Sequence, residues 1–309
     1  MGQVILKNKK ILVTGGNGYL GRHLVAQLRR AQAQVSILDR AGANSAGNLI
    51  TDITDAQAVQ DAVRKVNPDI VFHLAASMNR ARDFDRYDEI HEINFSGTRN
   101  LLFALRETSC SHFIFTSTSE VYGANRAPFR ETQLPDPVSP YSLTKVLAEH
   151  LIRTFGRTYQ MGFTILRLFN FFGPDMPPHF FIPVMVRALR ENRPFEMTEG
   201  AQKRDFLYVD DVVRAMILAA EHVPGGETYN VCSGRAVSLR ELVLEVKQLL
   251  NSRSEILFGA RPYRRNEIWN MEGDPSKIQE AWHFRPQYDL RAGIARMLGN
   301  EIPDRGEKE

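Results

Sequence analysis

Tyr141 and Lys145 stand four residues apart in the run Tyr141-Ser142-Leu143-Thr144-Lys145, a spacing that puts a phenol and an ammonium on one face of a helix. Ser139-Pro140 just ahead of them marks where that helix begins. A phenol with an unperturbed pKa near ~10 is a poor base at neutral pH, and an adjacent cation improves it by stabilising the phenolate. Alone, the pair is equally an ordinary surface pair. A third member comes from Phe113-Ile114-Phe115-Thr116-Ser117-Thr118-Ser119-Glu120-Val121-Tyr122-Gly123, a buried strand that runs into hydroxyls and a carboxylate. Thr118 is placed to hydrogen-bond the substrate hydroxyl that Tyr141 deprotonates, and Glu120 to enter the same cleft as a second acid/base. The plain alternatives are a strand-end cap for Thr118 and a structural salt bridge for Glu120.

Such groups need a rigid frame, and the sequence predicts one. Lys10 to Thr14 is a short apolar run ending in glycines, as expected of a strand buried on both faces of a parallel sheet. After Gly18, Leu20, Leu24, Val25 and Leu28 recur at helical spacing. Strands predicted over Val35 to Leu38, Asp69 to Leu74, Phe113 to Ser117 and Phe163 to Leu168 alternate with stretches of helical period. The expected fold is α/β, a Rossmann-type doubly wound parallel sheet with ligands at the carboxyl ends of its strands. After Phe171 the texture turns Pro- and aromatic-rich, which predicts a smaller, discontinuous carboxyl-terminal substrate lobe. The expected division is a dinucleotide-binding domain over 1–170, with returning segments near 205–232, and a mainly substrate-binding lobe over 171–309. Helices are predicted over Val209 to Glu221 and Ser238 to Leu250.

The first turn carries Thr14-Gly15-Gly16-Asn17-Gly18-Tyr19-Leu20-Gly21, a T-G-x-x-G-x-x-G run between a strand and a helix. Gly15 permits the tight turn, Gly18 lets backbone N–H groups approach a pyrophosphate, and Gly21 lets helix and strand pack closely. Gly15, Asn17, Gly18, Tyr19 and Leu20 are the candidate contacts. Asp39 ends the second predicted strand, at the offset expected of a carboxylate that binds the adenosine ribose, and it favours NAD over NADP. Arg40 beside it keeps NADP open, because it can stack on adenine or meet a 2′-phosphate. Asp52-Ile53 offers a carboxylate to the adenine amino group. His73-Leu74-Ala75-Ala76 ends a strand in small residues, which either let a flat cofactor lie against Leu74, Ala75 and Ala76 or simply pack tightly.

Composition removes other classes. With 309 residues, 43% of them hydrophobic, the chain is long enough for one large domain and an appended lobe. Basic residues number 39 against 36 acidic, without a Lys/Arg run, so no nucleic-acid or membrane surface is expected. Cys110 and Cys232 lack the company of a metal site and read as small core residues in a reducing compartment. No run reaches the ~18 apolar residues of a membrane span, and no signal-peptide core precedes the first strand, so a cytoplasmic location is expected. Gly2 lacks the hydroxyl residue of a myristoylation motif, since Leu6 stands there. The charged tail from Asp304 to Glu309 is expected to fray.

Taken in order, Thr14-Gly15-x-x-Gly18-x-x-Gly21, His73-Leu74-Ala75-Ala76, Asn94 in Ile93-Asn94-Phe95-Ser96-Gly97-Thr98, Thr118 before Val121-Tyr122-Gly123, and Tyr141-x-x-x-Lys145 resemble the extended short-chain dehydrogenases that modify nucleotide sugars. The resemblance implies an NAD-dependent enzyme that oxidises the sugar C4 hydroxyl, with Thr118, Tyr141, Lys145 and Glu120 catalytic and Asn94 among the cofactor contacts. It extends to Arg167-Leu168-Phe169-Asn170 and Arg204-Asp205-Phe206, which implies that Asn170 and Arg204 bind substrate beside Thr118. Arg264 and Glu267 resemble the pair that meets diphosphate and nucleoside ribose, chemistry that suits guanidinium and carboxylate. Otherwise Arg204 and Arg264 are solvated surface charges. A homodimer formed by helix packing is implied as well. Thr118-Ser119-Glu120 is similar to the Thr-Ser-Glu of decarboxylases and GDP-mannose dehydratases and departs from simple 4-epimerases. Because 4-keto-6-deoxysugar reductases carry a related Ser-Ser-Glu, an epimerase/dehydratase comes first and a net 4-ketoreductase second. A non-catalytic NAD(P)-binding sensor is the reading of another class.

Overall fold

The computed structural model describes residues 5–42, 47–222 and 225–299. Gly2 and the tail from Asp304 to Glu309 lie outside the described residues. Seven strands form one parallel sheet, in the spatial order Glu227–Val231, Gly162–Leu168, His112–Thr118, Ile70–His73, Lys10–Thr14, Gln34–Asp39 and Asn48–Ile50. Chain order reverses beside Lys10–Thr14, where Thr14 pairs with Leu38 on one side and His73 on the other. A crevice at such a switch point is where open α/β sheets bind ligands.

Five of the seven strands coincide with predicted ones to within a residue or so at each end. The two edge strands were not predicted as strands. Asn48–Ile50 has only three residues, and Glu227–Val231 reads Glu-Thr-Tyr-Asn-Val, with too little alternation to show a period. Its place is set by parallel pairing with Gly162–Leu168.

Apolar layers cover both faces. Leu24 and Leu28 of helix Tyr19–Arg30 and Met216 of helix Val209–Glu221 join Ile11, Val13 and Phe72 in one core. On the other face, Val63, Leu101 and Ile152 of helices Ala56–Val66, Gly97–Leu105 and Pro140–Tyr159 close over Leu12, Val71 and Phe115. Phe172, Met185, Leu189, Leu242, Val246 and Ile294 form a third core under the carboxyl-terminal segments. There a small sheet joins Ala236–Ser238, Lys203–Tyr208 and Asn270–Met271, with Asn170–Phe172 paired to Lys203–Tyr208. Cys232 is fully buried and Cys110 partly so, and burial pushes both thiols up, Cys110 to about 12, which leaves them without nucleophilic character. Among the described residues no helix is long and apolar enough to cross a membrane.

Candidate active site

A cleft of about 2030 Å³ opens at the carboxyl ends of the central strands and runs on between them and the carboxyl-terminal segments. Gly15, Asn17, Gly18, Tyr19, Leu20, Asp39, Arg40, Asp52, Ile53, Leu74, Ala75, Ala76, Thr118, Glu120, Tyr141, Lys145, Asn170, Arg204, Arg264 and Glu267 all line it. Asn94 is the exception. It is buried behind the wall, where its amide oxygen accepts from Ser77 N at 2.7 Å and its nitrogen donates to Thr144 Oγ1 at 3.0 Å. The structure therefore makes it a brace between the Ser77 segment and the Tyr141 helix.

The glycine turn is held by backbone contact. A Cβ on Gly15, whose φ is +69°, would meet Ala75 N at 2.8 Å, and one on Gly21 would meet Gly15 O at 2.2 Å. Behind it, a chain of hydrogen bonds ties two strands and a helix together. Ala75 N donates to Thr14 Oγ1, which lies 2.6 Å from His73 Nδ1, while His73 Nε2 lies 2.9 Å from Thr98 Oγ1. Since Thr98 donates to Asn94 O, the network assigns the proton to Nε2. Burial holds His73 neutral, its pKa brought down to about 3 chiefly by desolvation. This imidazole is structural, and it locks Ala75 against Gly15.

The residues present fit a dinucleotide. Asp39 Oδ2 accepts from Asn17 N at 3.0 Å, which sets the carboxylate at the lip of the turn. Tyr19 stacks on Phe171 with centroids 6.0 Å apart, and its buried hydroxyl has no hydrogen-bond partner among the described residues. That hydroxyl lies against Gly173, where a Cβ would meet it at 3.0 Å.

Ser139 caps helix Pro140–Tyr159: its hydroxyl accepts from Ser142 N, and Pro140 occupies the first turn. Tyr141 thereby faces the end of strand His112–Thr118. Burial raises the Tyr141 pKa, the Arg80 charge opposes it, and the Glu120 charge adds to the rise. Lys145 was expected beside the phenol. Instead its ammonium donates to Thr116 O at 2.9 Å and lies 4.5 Å over the Phe115 ring, and burial brings it down to about 7. The cation at the phenol is Arg80, 5.5 Å above the ring.

Glu120 is in the cleft as expected, but not as a free base. Its oxygens lie 3.4 Å from Arg80 Nε and 3.1 Å from Arg82 Nη1. The salt-bridge alternative is the arrangement found. Arg80 and Arg82 escaped sequence reading because they sit in an irregular segment and meet Glu120 across about forty residues of chain; two guanidiniums next to a predicted strand end were the only signal.

Other resemblance-based positions also turn out tied. Arg167 is buried in a two-pronged pair with Glu149, at 3.0 and 2.7 Å, under the Tyr141 helix, so its segment offers Asn170 but not Arg167 to the cleft. Arg204 and Glu267 are paired with each other, and Arg204 also donates to Ile268 O at 2.7 Å. Arg204 therefore orients Glu267 more than it reaches out, while Arg264 is exposed at the rim. Asp205 is fully buried and accepts from Ser233 Oγ at 2.6 Å, Ser233 N at 2.8 Å and Gly234 N at 2.9 Å. Burial raises its pKa to about 6 against those hydrogen bonds.

A glycine turn, a ribose-side carboxylate and a Thr-Tyr-Lys set on a doubly wound sheet define a dinucleotide-dependent enzyme of the short-chain dehydrogenase type. Residues 11–232 match the model of the NAD dependent epimerase/dehydratase family, and the chain belongs to that family. It is 33% identical to the UDP-N-acetyl-alpha-D-glucosaminuronate decarboxylase of Bacillus cytotoxicus, over 94% of this chain and 97% of that one. Among solved structures, a UDP-glucose 4-epimerase with UDP-glucose from Thermotoga maritima superposes with a TM-score of 0.87 at 28% identity, covering 94% and 97% of the two chains. The UDP-glucose 4-epimerase of Thermus thermophilus in complex with NAD gives 0.83 at 28%, covering 93% and 96%. These relatives are enzymes, which removes the non-catalytic sensor reading.

Proposed function

We propose that this enzyme inverts the C4 hydroxyl of a nucleoside-diphosphate sugar, using NAD and without elimination. The observation that carries this reading is the convergence of Thr118 and Tyr141 at one wall of the cleft while Glu120 is held between two arginines. Bound NAD supplies a reversible hydride acceptor. Thr118 holds the sugar hydroxyl, Tyr141 takes its proton, and the same phenol returns the proton when the opposite face is reduced. Arg80 stabilises the phenolate by charge. Lys145, anchored on Thr116 O, holds the nicotinamide ribose.

Elimination needs in addition a free base at C5, and a carboxylate shared by two guanidiniums is a weak one. Glu120→Gln is therefore expected to keep turnover within about tenfold of wild type, with a product of unchanged mass. A fall on the order of 10² with a 4-keto intermediate accumulating, measured by stopped flow and mass spectrometry, would return the elimination reading.

Asp39 at the lip of the glycine turn is expected to make NAD(H) bind more tightly than NADP(H), because it accepts ribose hydroxyls and repels a 2′-phosphate. Titration of both cofactors decides this, and a preference for NADP(H) would make Arg40 the governing residue. Residues 1–170 with the returning segments form the cofactor side, and the segments after 171 cover the substrate, with Asn170, Arg264 and Glu267 at the nucleotide end. Exposed Phe103 and Tyr159, on helices Gly97–Leu105 and Pro140–Tyr159, support a homodimer through helix packing. Two unpaired thiols and the nucleotide-sugar substrate support a cytoplasmic location.

A further inference from the structure

We propose that Thr144 is a positioning residue for proton transfer at the sugar C4 hydroxyl, the junction through which the cofactor wall fixes where Tyr141 stands. This rests on the nucleotide-sugar reading above and deepens it. Tyr141 and Lys145 line the cleft, whereas Thr144 is fully buried behind its wall. Its hydroxyl is engaged twice. Thr144 Oγ1 accepts from Asn94 Nδ2 at 3.0 Å and donates to Tyr141 O at 2.9 Å. A helical threonine commonly returns a bond to the carbonyl one turn back. The bond arriving from Asn94 is what ties that turn to the rest of the site.

From Asn94 the hydrogen bonds run two ways. Its amide oxygen takes Ser77 N at 2.7 Å, at the head of the segment that carries Arg80 over the Tyr141 ring. Its backbone oxygen takes Thr98 Oγ1 at 2.6 Å, and from Thr98 the line continues through His73 and Thr14 to Ala75, packed on Gly15. Thr14, His73, Asn94, Thr98 and Thr144 are each at most 1% exposed, and every side-chain nitrogen and oxygen among the five is partnered. Ala148, Ile152 and Phe155 already hold the Tyr141 helix on its apolar face, so burial does not call for these polar groups. They are costly away from water unless all are satisfied, and a fully satisfied network fixes one geometry. Asn94 also stands in a π-helical turn, Glu92–Ser96, set between helices Tyr87–His91 and Gly97–Leu105. Such turns are rare and recur at functional sites. Geometry matters here because Tyr141 must meet a hydroxyl within hydrogen-bond reach, where a shift of about 1 Å costs on the order of 10² in rate.

The test compares Thr144→Val, which keeps the shape and the helix propensity but removes the hydroxyl, with Thr144→Ser, which keeps the hydroxyl. The NAD-loaded proteins are given UDP-glucose, GDP-mannose and dTDP-glucose, and conversion of each is followed by chromatography, which reads inversion and elimination alike. With whichever sugar the wild-type protein converts, Thr144→Val is expected to lower kcat about tenfold while KM stays within about twofold, and Thr144→Ser to lie within about threefold of wild type. Thermal melting shows whether both variants are folded at the assay temperature. Wild-type turnover in Thr144→Val, a Thr144→Ser enzyme as slow as Thr144→Val, or loss of the fold without the hydroxyl would overturn the positioning role and leave the nucleotide-sugar reading standing. Conversion of none of the three sugars by the wild-type protein would overturn that reading and the role together.

Discussion

Tyr141→Phe is expected to lower turnover by a factor on the order of 10² or more while leaving the fold and the affinity for NAD intact. The ring is 3% exposed and packed at the head of a capped helix, and phenylalanine fills the same space. What disappears is the phenol hydroxyl that shares the cleft wall with Thr118 and Arg80, and with it the group placed to take a proton from a hydroxyl held by Thr118. Glu120 cannot stand in, because Arg80 and Arg82 hold it as an ion pair. Thermal melting and NAD titration of the variant separate lost chemistry from lost structure. Wild-type turnover in Tyr141→Phe would end the acid/base assignment.

The second large effect falls on stability. Glu149→Ala is expected to cost about 3–5 kcal/mol, read from urea unfolding, because it leaves the Arg167 guanidinium buried without its counter-charge. Both side chains are 3% exposed. Glu149 also accepts from Ser117 Oγ at 2.6 Å, so one carboxylate joins the Tyr141 helix to strands His112–Thr118 and Gly162–Leu168. The two-pronged geometry is what makes the pair sustainable without water. A double variant, Glu149→Leu with Arg167→Met, removes both charges and should recover most of the loss. A single variant that loses less than about 1 kcal/mol would show that water reaches the pair, as at an exposed salt bridge.

The parts of this molecule that were legible in the sequence are those written locally. Strand ends that run into glycines, hydroxyls or a carboxylate placed Gly15, Asp39, Thr118 and Glu120, because a parallel sheet gathers such ends on one side, and the Ser139-Pro140 helix start placed Tyr141. Pairings across long stretches of chain were not legible. Glu149 meets Arg167, Arg204 meets Glu267, and Glu120 meets Arg80 and Arg82 only after folding, so the pairing of Arg204, expected as a substrate ligand, could not be read from its own segment. The sheet of the carboxyl-terminal segments was hidden for a related reason. Asn170–Phe172, Ala236–Ser238 and Asn270–Met271 are two or three residues long and gain definition only by pairing with Lys203–Tyr208.

Proton exchange at Tyr141 and hydride return to the same carbon make a joint demand on isotope labels. A nucleoside-diphosphate sugar carrying deuterium at C4, incubated with the NAD-loaded enzyme, should yield the C4-inverted isomer with unchanged mass and the deuterium still at C4 by NMR. Loss of water or carbon dioxide, or deuterium missing from C4 of the inverted product, would contradict a direct inversion by oxidation and reduction at that carbon.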